Sequence, residues 1–329
     1  MGMVIDGKWR LEDRKPDEKG RFVRVETRFR DRITADGASG FPAEAGRYHL
    51  YVSWACPWAH RTLILRKLKH LEDAVSLSVV DAFMGEMGWE FTSAPGAIPD
   101  PLYGKRYLHE LYIQAQPGYN GRASVPVLWD KQRECIVNNE SREIVRMFDT
   151  AFGAINGSPV KGAAAPADYC PPEMEAEVER TIDAIFQPIN NGVYRCGFAR
   201  TQQAYEEAVT ELFDALDHWE QVLGTRRYLC GDRITEADWF LFTTLVRFDP
   251  VYHFHFKCNK KRLRDYPHLW NYTRELYQVP GVAETCNFDH IKRHYFQSHE
   301  TINPTRIVPM GPDGVDFAEP HGRNRSYSS

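Results

Sequence analysis

No C-x-x-C pair occurs in the 329 residues, and Lys+Arg, at 41, does not exceed Asp+Glu, at 45. Nor is there a run of about 18 consecutive apolar residues, the length a bilayer-spanning helix needs. Each absence removes a class of protein. The seven cysteines, at 56, 135, 170, 196, 230, 258 and 286, are odd in number and widely spaced, which excludes a zinc ribbon and a disulfide scaffold and points to a reducing, cytoplasmic compartment. With no apolar run, no membrane partner is expected. Residues 1–20 lack the apolar core and cleavage site of a secretory signal. A net charge of -4 leaves no basic surplus for neutralising phosphates, so no nucleic acid partner is expected. The glycine-rich stretch 153–162 has no Lys-Ser/Thr ending and is not a phosphate loop. No internal repeat is present. Aromatic residues are plentiful at 13%, with 16 Tyr and 8 Trp. That suits a pocket for a ring-shaped ligand and equally a tyrosine-rich core.

The chain divides by pattern. Residues 1–44 are polar and interrupted by charge, and read as an extended arm. Residues 45–150 alternate strand and helix. Residues 46–53 form a strand that leads into Cys56-Pro57-Trp58-Ala59-His60-Arg61, and Leu63, Ile64, Leu68 and Leu71 then recur at helical spacing. Pro57 suits the first turn of that helix, where a missing N–H is no loss. Residues 75–80 form a second strand. Residues 82–122 are an insertion with one helical patch over 107–115. Residues 125–130 and 135–137 read as a hairpin, in which Pro126 marks an edge, a bulge or a cis bond. A helix opens at Asn139-Glu140-Ser141. Residues 151–172, rich in Gly, Ala and Pro, read as a linker. Residues 173–300 are helical throughout, with helices expected over 173–190, 201–223, 267–277 and 280–288. Thr235-Glu236-Ala237-Asp238 has the form of a capping box that opens another. Residues 301–329 form an extended tail.

Cys56 carries the strongest local signal. A thiol at a helix N-terminus meets unpaired N–H groups and the positive end of the dipole, both of which favour the thiolate; His60 and Arg61 on the next turn add positive charge. The alternative is a cysteine buried in a core turn. Ala59 stands where a two-thiol enzyme places its second cysteine, so a single thiol here needs an external one, and glutathione is the abundant choice. Val125, before Pro126, can offer backbone N–H and C=O to an extended peptide. Glu140 and Ser141 can take the amine and the carboxylate of a peptide's end, or simply cap the helix. His253, His255 and Cys258 could ligate zinc only on a strand, and they lie in a helical region, so no metal is expected.

The order of Cys-Pro-Trp-Ala, Val-Pro and Glu-Ser, followed by an all-helical region, resembles a glutathione transferase. The Cys56-Pro57-Trp58-Ala59 motif resembles the Xi class, the glutathionyl-hydroquinone reductases. Asn191-Gly192-Val193-Tyr194, Arg247-Phe248-Asp249-Pro250-Val251-Tyr252, Phe288-Asp289-His290-Ile291, His294-Tyr295-Phe296 and Thr301-Ile302-Asn303-Pro304 match the same class, so the likeness covers nearly the whole chain. The resemblance implies a thioredoxin-like α/β domain followed by an all-α domain, acting on quinone metabolites as a homodimer. It implies glutathione as co-substrate, with Cys56 as nucleophile and Trp89, Arg122, Val125, Glu140 and Ser141 as the glutathione contacts. Tyr194, Tyr252 and Tyr295 would serve the hydroquinone, from the second domain. Three rivals remain open on the residues alone. They are an Omega-like thiol transferase or dehydroascorbate reductase using the same thiol, a conjugating transferase, which would sooner use Ser or Tyr, and a non-catalytic assembly module.

Overall fold

The computed structural model describes residues 2–12, 15–153 and 167–323. In chain order the elements are strands β1 (Gly2–Ile5), β2 (Lys8–Leu11) and β3 (Tyr48–Val52), helix α1 (Pro57–Leu68), β4 (Val75–Val79), α2 (Leu108–Ala115), β5 (Val127–Asp130), β6 (Cys135–Asn138) and α3 (Ser141–Thr150). There follow α4 (Glu175–Ile185), a π-helical turn over Phe186–Asn190, α5 (Gly192–Gly197), α6 (Gln202–Thr225) and α7 (Glu236–Leu245). A second π-helical turn over Phe248–Tyr252 leads into α8 (His253–His255), then α9 (Pro267–Tyr277) and α10 (Phe288–Ser298).

Two compact units emerge. The first comprises residues 1–14, 25–167 and 284–299; the second comprises residues 15–24, 168–283 and 300–329. The first is built on a four-stranded sheet in the order β4-β3-β5-β6, with β3 parallel to β4 and antiparallel to β5, and β5 antiparallel to β6. All five residues of β3 are buried, as a central strand covered on both faces requires. Helices α1 and α3 pack against each other, and Leu63 and Ile64 of the one and Ile144 and Phe148 of the other are buried. This β-α-β, β-β-α order is the expected thioredoxin-like α/β arrangement, and it is followed by the expected helical region.

The second unit is helical. α6 buries Leu212, Leu216, Trp219 and Leu223 along one stripe. α7 opens on the Thr235–Asp238 capping box, in which Asp238 accepts from the Thr235 N–H at 2.7 Å. Burial pushes the Asp238 carboxyl up, although four hydrogen bonds, from Leu229, Thr235 and Tyr272, favour its ionised form. Each π-helical turn begins Phe-x-Pro, with Pro188 in one and Pro250 in the other. Proline supplies no N–H to the preceding turn, so the ladder skips a residue: Asn191 donates to Phe186 O at 2.8 Å, and Tyr252 to Arg247 O at 3.2 Å.

The structure departs from the sequence-based expectation in four places. The arm is not uniformly extended: β1 and β2 form an antiparallel hairpin turned by Asp6 (φ 47°) and Gly7 (φ 70°). Two left-handed residues in succession make the tight turn that matches strand twist, and Asp-Gly is its usual sequence. Nor is the arm one module, since residues 15–24 cluster with the second unit. The helix expected from 280 begins instead at Phe288 and continues to Ser298. Gly281 (φ 91°) turns the chain after Pro280, and the Asn287 side chain caps the new helix by accepting from His290 N. Residues 284–299, placed by pattern in the helical domain, belong to the first unit. Of the expected linker 151–172, residues 154–166 lie outside the described residues, as does most of the stretch 153–162.

Candidate active site

Cys56 is the N-cap of α1, in extended conformation (φ -74°, ψ 119°), with Pro57 in the first turn of the helix. Its own N–H is tied to Ser53 O at 3.2 Å, and its carbonyl accepts from His60 N at 2.9 Å. The thiol is half-buried, and Sγ donates to Val125 O at 3.6 Å. Val125–Pro126 is a cis peptide, so of the readings left open for Pro126 the structure holds the cis bond. The nucleophile candidate and the peptide-binding candidate therefore stand next to each other.

The positive charge expected around Cys56 is arranged differently from the sequence reading. His60 is buried, and its Nε2 meets Thr285 Oγ1 at 2.8 Å and Cys286 Sγ at 3.8 Å, tying α1 to the segment that leads into α10. Arg61 crosses to α3: its Nη1 donates to Ser141 Oγ at 3.3 Å, while its guanidinium lies 4.5 Å from the Trp58 ring centroid. Trp54, for which the sequence offered no expectation, is held by its indole N–H on Gly96 O at 2.9 Å.

At the head of α3, Glu140 is the N-cap and its Oε1 accepts from Arg142 N at 3.2 Å and from Ser141 Oγ at 3.4 Å. Thr27 Oγ1 donates to Glu140 Oε2 at 3.2 Å. The capping alternative is therefore realised, but it does not exhaust the site. A carboxylate, a hydroxyl, a guanidinium and a helix N-terminus meet at two consecutive residues, an arrangement that complements both charges of an α-amino acid end. Tyr112 links this point to Val125. Its hydroxyl donates to Ser124 O at 2.7 Å and accepts from Asn139 Nδ2 at 3.1 Å, each partner lying one residue before Val125 and Glu140 respectively. Burial pushes the Tyr112 phenol up, so it stays protonated and keeps its donor. Sequence reasoning passed over Tyr112; its only signal was membership of the helical patch in the insertion.

The remaining predicted residues separate by unit. Trp89 is buried and stacks on His294 of α10, with ring centroids 4.7 Å apart. His294 Nδ1 donates to Ala82 O at 3.1 Å, His290 Nε2 donates to Pro95 O at 2.8 Å, and Met84 N–H donates to Ser298 Oγ at 2.9 Å, so α10 is tied to the insertion along its length. Arg122 donates through Nη1 to Gly2 O at 3.5 Å. Tyr295, on α10, is buried in T-shaped contact with the His294 and His299 rings, and it belongs to the first unit with Cys56, not to the second as expected. Tyr194 and Tyr252 belong to the second unit, where their rings lie 6.1 Å apart. Phe256 stacks on Tyr252 at 5.5 Å and meets Tyr194 at 5.3 Å; the Arg24 guanidinium lies over Tyr194 at 5.3 Å. Tyr194 is half-buried and Tyr252 is buried. The structure thus brings Tyr194 and Tyr252 together, and brings Cys56, Val125, Glu140 and Ser141 into one hydrogen-bonded neighbourhood.

Among the described residues, no three His, Cys, Asp or Glu side chains gather as a metal site, and no helix is long and apolar enough to cross a membrane.

With this geometry in place, the chain can be compared with known proteins. Residues 55–151 match the model of the glutathione S-transferase N-terminal domain, and residues 202–275 match that of the C-terminal domain. The chain is 54% identical to glutathionyl-hydroquinone reductase YqjG of Escherichia coli (strain K12), over 98% of this chain and 99% of that one. It is 50% identical to glutathionyl-hydroquinone reductase PcpF of Sphingobium chlorophenolicum, over 95% and 96%. The glutathione-bound structure of YqjG aligns with a TM-score of 0.88 at 52% identity, covering 98% of this chain and 99% of that one. A Xi-class glutathione transferase from Natrialba magadii aligns with a TM-score of 0.90 at 52% identity, covering 98% and 96%.

Proposed function

Because the chain belongs to the Xi class of the glutathione transferase family, we propose that it is a glutathionyl-hydroquinone reductase working through Cys56 as its single nucleophile. The observation that carries the mechanism is the lone thiol at the N-cap of α1, with Sγ on the Val125 carbonyl and alanine at position 59. A second thiol one turn on would resolve the intermediate internally; alanine leaves that step to another glutathione.

The reaction follows from one thiolate. Cys56 Sγ attacks the glutathione sulfur of the substrate. A sulfur–sulfur bond forms and the bond from sulfur to the ring carbon breaks, its electron pair passing to the ring and its oxygens. Protonation and tautomerisation release the hydroquinone. A second glutathione thiolate then attacks the mixed disulfide, freeing glutathione disulfide and restoring Cys56. Overall, the ring carbon gains the electron pair of the broken carbon–sulfur bond and a proton, while the substrate's glutathione sulfur and one thiol become glutathione disulfide.

In this reading Val125 pairs its backbone with the cysteinyl residue of glutathione. Glu140 takes the γ-glutamyl amine, while Ser141 and the N-terminus of α3 take the neighbouring carboxylate. Trp89 and Arg122 serve the glycyl end or the backbone. Arg61, already on the Ser141 hydroxyl, adds positive charge to the carboxylate position. Tyr194, Tyr252 and Tyr295 serve the ring, where negative charge develops. A ligand reaches the buried hydroxyls of Tyr252 and Tyr295 only when the side chains that cover them part. We further propose a cytoplasmic homodimer that uses no metal; the class resemblance supports this. Light scattering across a dilution series should give twice the chain mass, and a constant 38.0 kDa would count against the dimer.

The function is tested by turnover on two substrates. Glutathionyl-hydroquinone should be reduced with ping-pong kinetics and more efficiently than hydroxyethyl disulfide. A preference for the small disulfide would make the protein a general thiol transferase instead.

A further inference from the structure

We propose that the N-terminal hairpin β1–β2 is a positioning element of the glutathione site, acting through Trp89 and Arg122. The inference rests on the reading of those two residues as glutathione contacts.

The hairpin grips the two stretches of the insertion that carry them. On one side, Val4 N–H donates to Gly121 O at 2.8 Å and Gly121 N–H returns to Val4 O at 2.9 Å. Gly7 N–H donates to Tyr119 O at 3.1 Å, Asp6 N–H to Asn120 Oδ1 at 2.9 Å, and Asn120 Nδ2 to Asp6 Oδ1 at 3.1 Å. The next residue is Arg122, whose Nη1 donates to Gly2 O at 3.5 Å. On the other side, Trp9 Nε1 donates to Glu86 O at 3.0 Å, and its indole stacks on His109 at 4.5 Å and 17°. His109 Nδ1 in turn donates to Met87 O at 3.1 Å. Gly88 (φ 80°) lies so close that a Cβ there would stand 2.9 Å from the indole. The next residue is Trp89.

Neither stretch belongs to a strand or helix of the sheet domain; residues 80–107 and 116–126 contain none of the named elements. Each residue left to wander loses backbone entropy when it is ordered, and a ligand that must order its own contacts loses that free energy from binding. The hairpin orders both stretches before glutathione arrives. It does so with backbone hydrogen bonds at one edge and one aromatic anchor at the other, and its Gly2 carbonyl stands 3.5 Å from Arg122 Nη1. These hydrogen bonds of the hairpin go to the two stretches of the insertion that carry Trp89 and Arg122. The expected consequence is therefore on glutathione affinity and not on the thiol.

The test uses full-length Trp9→Ala and a variant lacking residues 1–12, with Arg122→Ala alongside. Reduced glutathione is titrated by calorimetry, KM and kcat are measured with glutathionyl-hydroquinone, and alkylation of Cys56 by iodoacetamide is followed without glutathione. Loss of the hairpin should raise the glutathione Kd and KM about tenfold, and Trp9→Ala about threefold, the scale of one ordinary hydrogen bond or ring contact. Alkylation of Cys56 and kcat at saturating glutathione should stay within about twofold, which is a few tenths of a kcal/mol. Trp9→Phe, which keeps a ring on His109, should recover part of the affinity. Unchanged Kd in Trp9→Ala and Trp9→Phe overturns the proposal even if the truncated chain does not fold. A matched fall in kcat and alkylation also overturns it, since the hairpin would then support the whole unit. If Arg122→Ala itself leaves Kd unchanged, the glutathione reading of Arg122 fails separately.

Discussion

Cys56→Ala should remove reductase turnover by roughly three orders of magnitude or more, as loss of a covalent nucleophile does elsewhere, while glutathione still binds. The split follows from where the contacts lie. The hydrogen bond from the thiol to Val125 O is weak, whereas the proposed peptide contacts belong to the Val125 backbone and to the head of α3. Mass spectrometry of the wild-type protein stopped in mid-turnover should show one glutathione on Cys56, and the alanine variant should show none. The pH dependence of alkylation should place the thiol below the ordinary cysteine value of about 8.5. Two effects oppose each other there. The Val125 carbonyl accepts from the thiol and so favours the neutral form, but a sulfur donor at 3.6 Å is weak. The N-terminus of a 12-residue helix favours the thiolate and is the larger influence. Normal turnover by the alanine variant would sink the covalent mechanism outright.

Tyr→Phe at positions 194, 252 and 295 should slow glutathionyl-hydroquinone reduction by roughly 1–3 kcal/mol each and leave hydroxyethyl disulfide reduction nearly unchanged. The difference lies in the leaving group. When Cys56 takes the sulfur of an aryl thioether, charge passes to the ring and its oxygens, where a neutral phenol is a suitable donor at pH 7. When it takes the sulfur of a small disulfide, the leaving group is a thiolate that needs no such donor. Loss of a single oxyanion donor typically costs about 2.7–4 kcal/mol; three donors share the load here, so each loss is expected to be smaller. The rings remain in phenylalanine, so the stack of Tyr252 on Phe256 and the contact of Arg24 with the Tyr194 ring survive the change. This makes the substitution a test of the hydroxyl and not of packing. Tyr295 is the position where the two substrates are most informative, since it shares the unit of Cys56 and is tied to it through α10 and the His60–Thr285 hydrogen bond. Equal losses on both substrates would mean that the tyrosines shape the fold or the glutathione site, and their assignment to the ring would fall.

Several local junctions were legible before the structure. The Cys-Pro start of α1, the Glu140 cap of α3 and the Thr235–Asp238 capping box are all set within four residues of sequence, and each formed as read. The hairpin turn was legible too, in Asp6-Gly7, but went unread because the charges around it resemble those of an extended arm. The helix from Phe288 was misplaced for a related reason: the apolar pattern begins before Pro280-Gly281 breaks it, and the Asn287 cap restarts it.

What the sequence by itself determined is the chemistry at each local junction: one thiol at a helix N-terminus with no second thiol one turn on, a carboxylate and hydroxyl opening another helix, and the strand and helix periods that build the sheet domain. Such features depend on neighbours within a turn, where the backbone alone sets the geometry. Only the tertiary structure decided which junctions meet. Cys56 finds the Val125 carbonyl 69 residues away, and His60 finds Thr285 225 residues away. The Tyr112 hydroxyl joins Ser124 to Asn139, and Tyr295 falls in with the thiol and not with the other two tyrosines. Those choices come from buried groups that must find partners once water is excluded. A hydroxyl or imidazole inside the unit pairs with whatever carbonyl or hydroxyl the packing brings within reach, and no pattern along the chain records that distance.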